Sequence, residues 1–343
     1  MKIKWDGARP PSIRDVADRA YVSYQTVSRV LNGHPSVKPA TRERVLGAIT
    51  STGYRPNRLA RALVTRRSRT IGVISAEGDS FGPVMAMQGI EDAARKEGYV
   101  VSFAHLSGEG RDTVAEAIDH LMMQAVEGLV VIAPQKSVFA AAQKLARGIP
   151  LVTLEPTHRS DGHTLAVDQE LGGRIATRHL IERGHQRIAH LAGPTSWIEA
   201  DARVRGFRAE LAAAGLADGA VLHGDWSAES GYRVGAAIIR DRSVTAIFAA
   251  NDQMALGLLH ACRDAGVDVP GRLSVIGFDD VPEAAHYSPP LTTVRQDFVE
   301  LGRRCMFLLL RQINGARESR HEQVPPELVV RDSVAAPCGV AVV

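Results

Sequence analysis

The sequence has few cysteines and no long apolar run. Its three cysteines, Cys262, Cys305 and Cys338, are widely spaced and match no zinc or redox template, so we expect free thiols, no metal site and no cofactor. No stretch approaches the roughly 20 apolar residues that cross a bilayer. The charged N-terminus, MKIKWDGARPPSIRD, has no signal-peptide core. These absences predict a cytoplasmic protein without a membrane partner.

Acidic residues are scarce in one part of the chain, its first 69 residues. This segment has 15 Lys and Arg but only 4 Asp and Glu, a net charge of +11, whereas the rest of the chain carries −8. A basic segment on an acidic body indicates a polyanion partner for that segment alone. A basic disordered tail is the alternative, but helix caps and periodic apolar positions favour a folded domain.

The basic segment carries the signals of three short helices. Ser12 and Asp15 resemble a capping box at the start of the first helix. Ser23 is a good N-cap for the second helix, and Pro39 fits the first position of the third. The spacing predicts a helix-turn-helix domain.

The second helix, within SYQTVSRVL (23–31), has two different faces. Val27 and Val30 share the inner face, while Tyr24, Gln25 and Arg29 remain on the outer one. Gln and Arg make bidentate hydrogen bonds to adenine and guanine in the major groove, so this face is predicted to read double-stranded DNA. For any single residue a solvated surface is the simpler interpretation; the charge and the helix spacing together favour DNA. The residues predicted to contact bases or phosphates here are Ser12, Ser23, Tyr24, Gln25, Thr26, Ser28 and Arg29.

After about residue 70, short β-rich runs alternate with amphipathic helical patterns. This alternation predicts an α/β fold whose parallel sheets carry helices on both faces. Two tandem units, at about 70–154 and 155–295, would leave a cleft between them. The predicted strands are 71–76, 99–104, 128–133, 150–154, 187–192, 245–250 and 273–278, and the clearest predicted helices are 200–215, 229–241 and 252–266.

Several residues of the body fall where such a fold binds small ligands, after the carboxyl ends of strands. Asp279 follows LSVIGF and Asn251 follows TAIFAA. Arg203 lies on the helix after LAGP, and Trp226 could stack on a sugar ring. Each also has a structural interpretation: Asn251 as a helix cap, Asp279 as a turn residue, Arg203 in a surface ion pair and Trp226 in the core.

Several long stretches of the sequence resemble one known family pattern. The first is SIRDVADRAYVSYQTVSRVLNGHPSVKPATRERVLGAITSTGYRPNRLARAL, and the others are GHQRIAHLAGP, GDWSAESGY, FAANDQMALG, LSVIGFDD and SPPLTTVRQDF. The first resembles the head, and the others resemble the body, of the lactose-repressor/galactose-repressor (LacI/GalR) family of transcriptional regulators. The resemblance implies an α/β protein with an N-terminal helix-turn-helix DNA-binding domain. The implied core is like a periplasmic binding protein, with two doubly wound parallel-sheet subdomains.

The resemblance also implies domain boundaries. They are 1–56 for the DNA-binding domain, 57–69 for a hinge helix and linker, and 70–343 for the core. Within the core, the N-terminal subdomain is expected at about 70–154 and 296–325, and the C-terminal one at about 155–295 and 326–340. The chain's last residues, LVVRDSVAAPCGVAVV, contain no heptad repeat, so a dimer without a coiled-coil tail is expected.

The implied function is sequence-specific repression of sugar-utilisation genes, with release from the operator when a saccharide inducer binds. The implied partners are operator DNA, a mono- or disaccharide effector and a second copy of the chain. Leu63 matches a hinge-helix leucine that enters the minor groove. The other family DNA contacts fall on Asn32, Tyr54, Asn57, Arg58 and Ala60. Gln296 and Phe298 lie beside a crossover between subdomains and are further candidates for the effector site.

The sequence departs from the family pattern in several places. Tyr21 stands where the family usually has Gly in the turn, and positive φ at a bulky residue costs of order 1 kcal/mol. Gln135 and Lys136 follow the third strand, and SAEGDSFGP (75–83) follows the first; neither segment resembles its family counterpart. Trp197 replaces a small residue at the pocket rim, which favours a different saccharide, for example a disaccharide stacking on Trp197.

Other classes of protein fit the sequence less well. A sugar-binding transport protein would not need the basic segment. A sugar-metabolising enzyme is disfavoured because GxGxxG, Walker and GxSxG motifs are missing, so no catalytic residue is expected. A regulator of the same fold that responds to a purine or another corepressor remains the alternative.

Overall fold

The N-terminal part of the chain is a small three-helix unit. The structure is a computed structural model that describes residues 10–55, 62, 67–76, 80–106, 110–133, 135–146, 148–154, 163–316 and 321–337. Its helices are α1 (Ile13–Ala20), α2 (Tyr24–Leu31) and α3 (Pro39–Thr52). They enclose a core of small apolar side chains: Val16, Ala17, Ala20, Val27, Val30, Val45 and Ala48.

The sequence signals for these helices are confirmed by the local geometry. The Ser12 hydroxyl accepts a hydrogen bond from the Asp15 N–H, and the Asp15 carboxylate accepts one from the Ser12 N–H at 2.7 Å, which completes the capping box. Tyr21 ends α1 at φ 55° and ψ 48°, the left-handed region expected from its place in the turn. Its side chain is 91% exposed, so packing within the fold does not offset the strain.

The first α/β subdomain has a six-stranded parallel sheet in the order β11-β5-β4-β3-β1-β2. Its strands are β1 (Thr70–Ala76), β2 (Val100–Leu106), β3 (Gly128–Ile132), β4 (Leu151–Leu154), β5 (His163–Val167) and β11 (His321–Val324). Its helices are α4 (Phe81–Lys96), α5 (Arg111–Met123), α6 (Lys136–Leu145) and α11 (Phe298–Ile313). Strand β3 is buried along its whole length, which explains its unbroken apolar sequence.

The second α/β subdomain repeats this arrangement with the order β12-β10-β9-β8-β6-β7. Its strands are β6 (Ile188–Ala192), β7 (Val221–His223), β8 (Ala246–Ala249), β9 (Ser274–Asp279), β10 (Thr292–Arg295) and β12 (Glu327–Val329). Its helices are α7 (Gln169–Glu182), α8 (Ile198–Ala213), α9 (Ala228–Ile238), α10 (Asp252–Asp264) and a 3₁₀ turn at Pro282–His286. Strand β12 is antiparallel to β10, so this sheet is mixed at one edge.

The chain passes between the subdomains three times, after β5, after β10 and after β11. The sequence placed the first crossing at about residue 155, and this boundary is wrong. The segment HTLAV forms β5 and pairs with Val152–Leu154 in the first sheet, so the crossing follows Val167. The strand was missed because it is short and begins with two polar residues.

The apolar cores of the two subdomains lie between each sheet and its helices. Cys262 and Cys305 are buried on apolar helix faces, as expected from the sequence, and burial raises the pKa of the Cys262 thiol to about 11. Cys338 lies outside the described residues. None of the helices in the described ranges has the length and apolarity of a membrane span.

Candidate DNA-binding face and ligand cleft

The outer face of α2 presents polar side chains on a rigid support. The Ser23 hydroxyl accepts a hydrogen bond from the Thr26 N–H at 3.2 Å and lies 3.0 Å from the Thr26 hydroxyl, which fixes the start of the helix. Val27 and Val30 are buried beneath it. Tyr24, Gln25 and Arg29 are exposed on the other side. This is the arrangement that the sequence predicted for a helix that reads DNA.

The remaining predicted DNA contacts have mixed surroundings. Asn32 is exposed, and Ser12, Thr26 and Ser28 are partly buried. Tyr54 packs against the core of the three-helix unit, so it has at least a structural role. Asn57, Arg58, Ala60 and Leu63 lie outside the described residues. Their contacts with DNA stay predictions.

The body contains a cavity of about 440 Å³ between the carboxyl ends of the two sheets. This is where the reversal of strand order in doubly wound folds leaves room for a ligand. The residues that the sequence assigned to the effector site all line it: Trp197, Arg203, Trp226, Asn251, Asp279, Gln296 and Phe298. Their contact with an effector stays a prediction.

A hydrogen-bonded network forms the polar wall of the cavity. The Arg203 Nε donates to Gln169 Oε1 at 2.8 Å, and Gln169 Nε2 donates to Gln296 Oε1 at 2.6 Å. Gln296 Nε2 donates in turn to Asp279 Oδ1 at 2.6 Å. Arg203 also donates to the Ala250 carbonyl. The network joins two of the segments that cross between the subdomains, those after β5 and after β10, to the end of β9. A ligand that binds this network therefore contacts the point where the subdomains meet.

The charges in this network are paired but buried. Arg203 is 5% exposed, and its Nη2 lies 3.8 Å from Asp279 Oδ1. Burial raises the pKa of Asp279 to about 6, although Arg203 opposes that shift. Asp279 also has φ 105°, a conformation that L residues rarely adopt. The interpretation of Arg203 as a surface residue in an ion pair is therefore wrong. The strained backbone at Asp279 holds its carboxylate at the cavity, where it can accept hydrogen bonds from ligand hydroxyls.

Trp226 is held as a platform at one side of the cavity. Its backbone has φ 75°, and its carbonyl accepts a hydrogen bond from Asn251 Nδ2 at 3.0 Å. The indole lies so close to Gly193 that a Cβ there would be 2.2 Å from the ring. Gly193 is therefore required by the close approach of the ring. Trp226 lines the cavity as well as packing against the second subdomain's core.

Asn251 also caps α10, because its Oδ1 accepts a hydrogen bond from the Met254 N–H at 2.9 Å. The helix cap that the sequence offered as the structural interpretation of Asn251 is therefore present. Asp252 is instead fully buried, where it accepts hydrogen bonds from the Thr293 hydroxyl at 2.6 Å and the Val281 N–H at 2.9 Å.

The sequence reasoning missed most of the remaining cavity-lining residues, among them Gln169, Glu199 and Phe81. Gln169 connects Arg203 to Gln296, and it follows β5, the strand that was not recognised. Glu199 lies two residues beyond Trp197 and also lines the cavity. Phe81 packs edge-to-face on Phe298, with ring centroids 6.0 Å apart. Recognising HTLAV as a strand would have placed Gln169 at a carboxyl end and identified it.

A helix-turn-helix unit followed by a two-subdomain ligand cleft defines the class of ligand-responsive DNA-binding regulators. Residues 12–57 match the profile of bacterial regulatory proteins of the lacI family, and residues 177–334 match that of the periplasmic binding protein-like domain. The chain is 35% identical to the lactose operon repressor of Escherichia coli (strain K12) over 331 residues, 96% of this chain and 92% of the relative. The chain therefore belongs to the lacI family of transcriptional regulators, and the resemblance and the fold are confirmed.

Solved structures of other regulators support this family assignment. A lac repressor dimer bound to operator and the anti-inducer ONPF superposes with a TM-score of 0.88 at 34% identity, covering 96% of this chain and 100% of that one. A complex of the transcriptional regulator CelR with cellobiose has a TM-score of 0.72 at 32% identity, covering 94% of this chain and 99% of the other.

Proposed function

We propose that this regulator is a homodimeric repressor of sugar-utilisation genes that leaves its operator when a saccharide binds in the cleft. The observation that carries the saccharide assignment is the buried Arg203–Gln169–Gln296–Asp279 network beside the Trp226 platform. Such a wall offers hydrogen-bond partners at fixed angles and an apolar face for one ring. A site built in this way rejects analogues that lack the hydroxyls, because its buried polar groups would then be unpaired.

The DNA side of the proposal rests on α2. Tyr24, Gln25 and Arg29 project from a capped helix whose other face is buried, so they can enter a major groove without disturbing the core. Ser12, Ser23 and Thr26 are placed near helix N-termini, where backbone N–H groups favour phosphate. In a homodimer, two such helices would contact half-sites related by two-fold symmetry, so a near-palindromic operator is expected.

Exposed apolar side chains support the homodimer. Strand β2 is an edge strand of the first sheet, and its Val100 and Phe103 are 39% and 36% exposed. Val84 on α4 is exposed as well. Unpaired edges with apolar residues are usually covered in stable proteins. With DNA as its partner, the protein is proposed to act in the cytoplasm and not as an enzyme.

The proposed mechanism is thermodynamic linkage. The effector contacts residues from both subdomains, so its binding favours one relative placement of them. If the DNA-bound dimer requires another placement, effector and operator weaken each other's binding by the same factor. The hinge segment at 57–63, of which the structure describes only residue 62, is proposed to transmit this change by folding on DNA together with its dimer mate.

The test is fluorescence anisotropy with the purified full-length protein and labelled DNA from upstream of its own gene and of neighbouring genes. Monosaccharides, disaccharides and purine bases are added to the complex. We expect salt-sensitive binding to a near-palindromic site and release by a saccharide. The Asp279→Ala variant should still bind the operator, but the saccharide should no longer release it. No preference over random DNA would reject the regulator, and release by a purine alone would reject the saccharide.

A further inference from the structure

Trp197 adds a second aromatic wall to the cavity. It precedes α8, lines the cavity and meets Trp226 edge-to-face, with ring centroids 5.3 Å apart and an interplanar angle of 63°. Trp226 in turn has the Arg203 guanidinium 5.4 Å from its ring centroid. Trp226 therefore contacts both the polar network and Trp197, so the cavity wall offers two neighbouring positions for a ligand.

The backbone next to Trp197 is anchored in the opposite subdomain. The next residue, Ile198, is 5% exposed and belongs to the apolar cluster of the first subdomain, with Ile74, Val138 and Phe139. The rest of α8 packs on α7 in the second subdomain. Because its neighbour is buried in the opposite subdomain, the backbone that carries Trp197 is held at the cavity. The contact with Trp226 places the indole on the cavity wall.

The cavity that the two tryptophans line also has polar residues. Among them are Glu199, Asp225 and Ser227, which are next or next but one to a tryptophan in the sequence, and Gln253. Hydrogen bonds from Ser227 lower the pKa of Asp225, so its carboxylate stays ionised at neutral pH. The Trp226 indole N–H is buried with no acceptor among the described residues. The two aromatic faces can stack on the apolar face of a ligand ring. The carboxylates and the unpaired Trp226 indole N–H can form hydrogen bonds with hydroxyl groups on that ring.

We propose that Trp197 and Glu199 form a second sugar position, so that the effector is a disaccharide and Trp197 selects it over monosaccharides. The first ring would bind the Arg203–Asp279 network, and the second would lie on Trp197 with hydroxyls toward Glu199. The cavity of about 440 Å³ is within the usual range of small-ligand pockets and extends over both positions. This inference rests on the proposed saccharide function and specifies its ligand class.

The test is isothermal titration calorimetry on the full-length protein. The probes are cellobiose, lactose, maltose, gentiobiose, trehalose, melibiose and sucrose, each beside its constituent monosaccharides. We expect one disaccharide to bind at least tenfold more tightly than its monosaccharides. Trp197→Ala should weaken that disaccharide at least tenfold and leave monosaccharide binding within about twofold. Trp197→Phe, which keeps an aromatic face, should recover part of the loss.

Two controls separate this inference from general damage. Phe307→Ala removes an exposed aromatic side chain that does not line the cavity and should bind like wild type. Glu199→Gln keeps the size of the side chain and should weaken the disaccharide alone, which tests the second position even if Trp197→Ala does not fold. Equal affinity for a disaccharide and its monosaccharide, or equal weakening of both by Trp197→Ala, would overturn the inference and leave the saccharide function standing. Binding of neither class would overturn both.

Discussion

Single residues of the site serve the fold and the cavity together, and sequence alone could not separate these uses. Asn251 caps α10 and holds the Trp226 carbonyl, and it still lines the cavity. The sequence predicted its position because a polar residue after a buried strand lies at a carboxyl end. It could not predict the hydrogen bond to Trp226, because that contact depends on the φ of 75° that turns the chain there.

Arg29 gives the sharpest residue-scale prediction for DNA. Its guanidinium is exposed on the outer face of α2, where it can make a bidentate contact to guanine. Arg29→Ala should cost about 1–3 kcal/mol and relax base preference at one operator position. The measurement is competition anisotropy against operators varied one base pair at a time.

Arg14→Ala is the matched control, because Arg14 is also exposed but lies on α1. No base contact is proposed for Arg14, so loss of its charge should affect all operator sequences alike. If Arg29→Ala also weakened every operator variant equally, direct base readout by Arg29 would be wrong.

Asp252 gives a pH-dependent prediction. Burial, reinforced by the nearby charge of Asp279, raises the pKa of Asp252 to about 8. In the unfolded chain the value is about 3.9, so between about pH 4 and pH 8 the folded state holds a proton that the unfolded state lacks. The free energy of unfolding should therefore fall as pH rises through this range, by up to about 1.4 kcal/mol per pH unit from this group.

Asp252→Asn should remove that contribution, since the amide can donate to the Thr293 hydroxyl and accept from the Val281 N–H. Urea unfolding at pH 5, 6, 7 and 8 should show the variant gaining stability relative to wild type as pH rises. Asp218→Asn changes a residue on the exposed surface, and its curve of unfolding free energy against pH should be parallel to that of wild type. Parallel curves for Asp252→Asn would show that the buried carboxyl does not titrate in this range.

At the scale of helices and strands, length and amphipathicity decided what could be predicted. The helix predicted at 200–215 is Ile198–Ala213, and that at 252–266 is Asp252–Asp264. Strands β7 and β12 have three residues each, too few for a hydrophobic period, and were not predicted. Their pairing depends on neighbouring strands, which a local sequence pattern does not contain.

The first turn of α8 connects the two subdomains, and Ile198→Ala tests this connection without any ligand. Removing the buried side chain leaves a cavity in the first subdomain's cluster and frees the start of α8. Amide hydrogen exchange should accelerate in the first turn of α8 and in α6, across the cleft.

Ile118→Ala is the matched control, because Ile118 lies in the same cluster but on α5 of the first subdomain. It should destabilise the first subdomain without accelerating exchange at the start of α8. The same exchange pattern in both variants would mean that Ile198 does not bridge the subdomains.

At the scale of the molecule, charge distribution was the most informative property of the sequence. A net charge of +11 in 69 residues separated a DNA-binding part from an acidic body, and the compact units of the structure are Met1–Ser68 and Arg69–Val343. The strand–helix alternation predicted two parallel sheets. The hydrogen-bonded network of the cavity was not predictable as a whole, because Arg203, Gln169, Gln296 and Asp279 are brought together only by the crossings between subdomains.

The two cavity tryptophans give the protein a built-in optical reporter. Only three tryptophans occur in the chain, and Trp197 and Trp226 both face the space that the effector would fill. Displacing water from these indoles changes the polarity around them, so their emission should shift in wavelength or intensity on occupancy. Compound libraries could therefore be surveyed by intrinsic fluorescence, without a dye, a tag or knowledge of the operator.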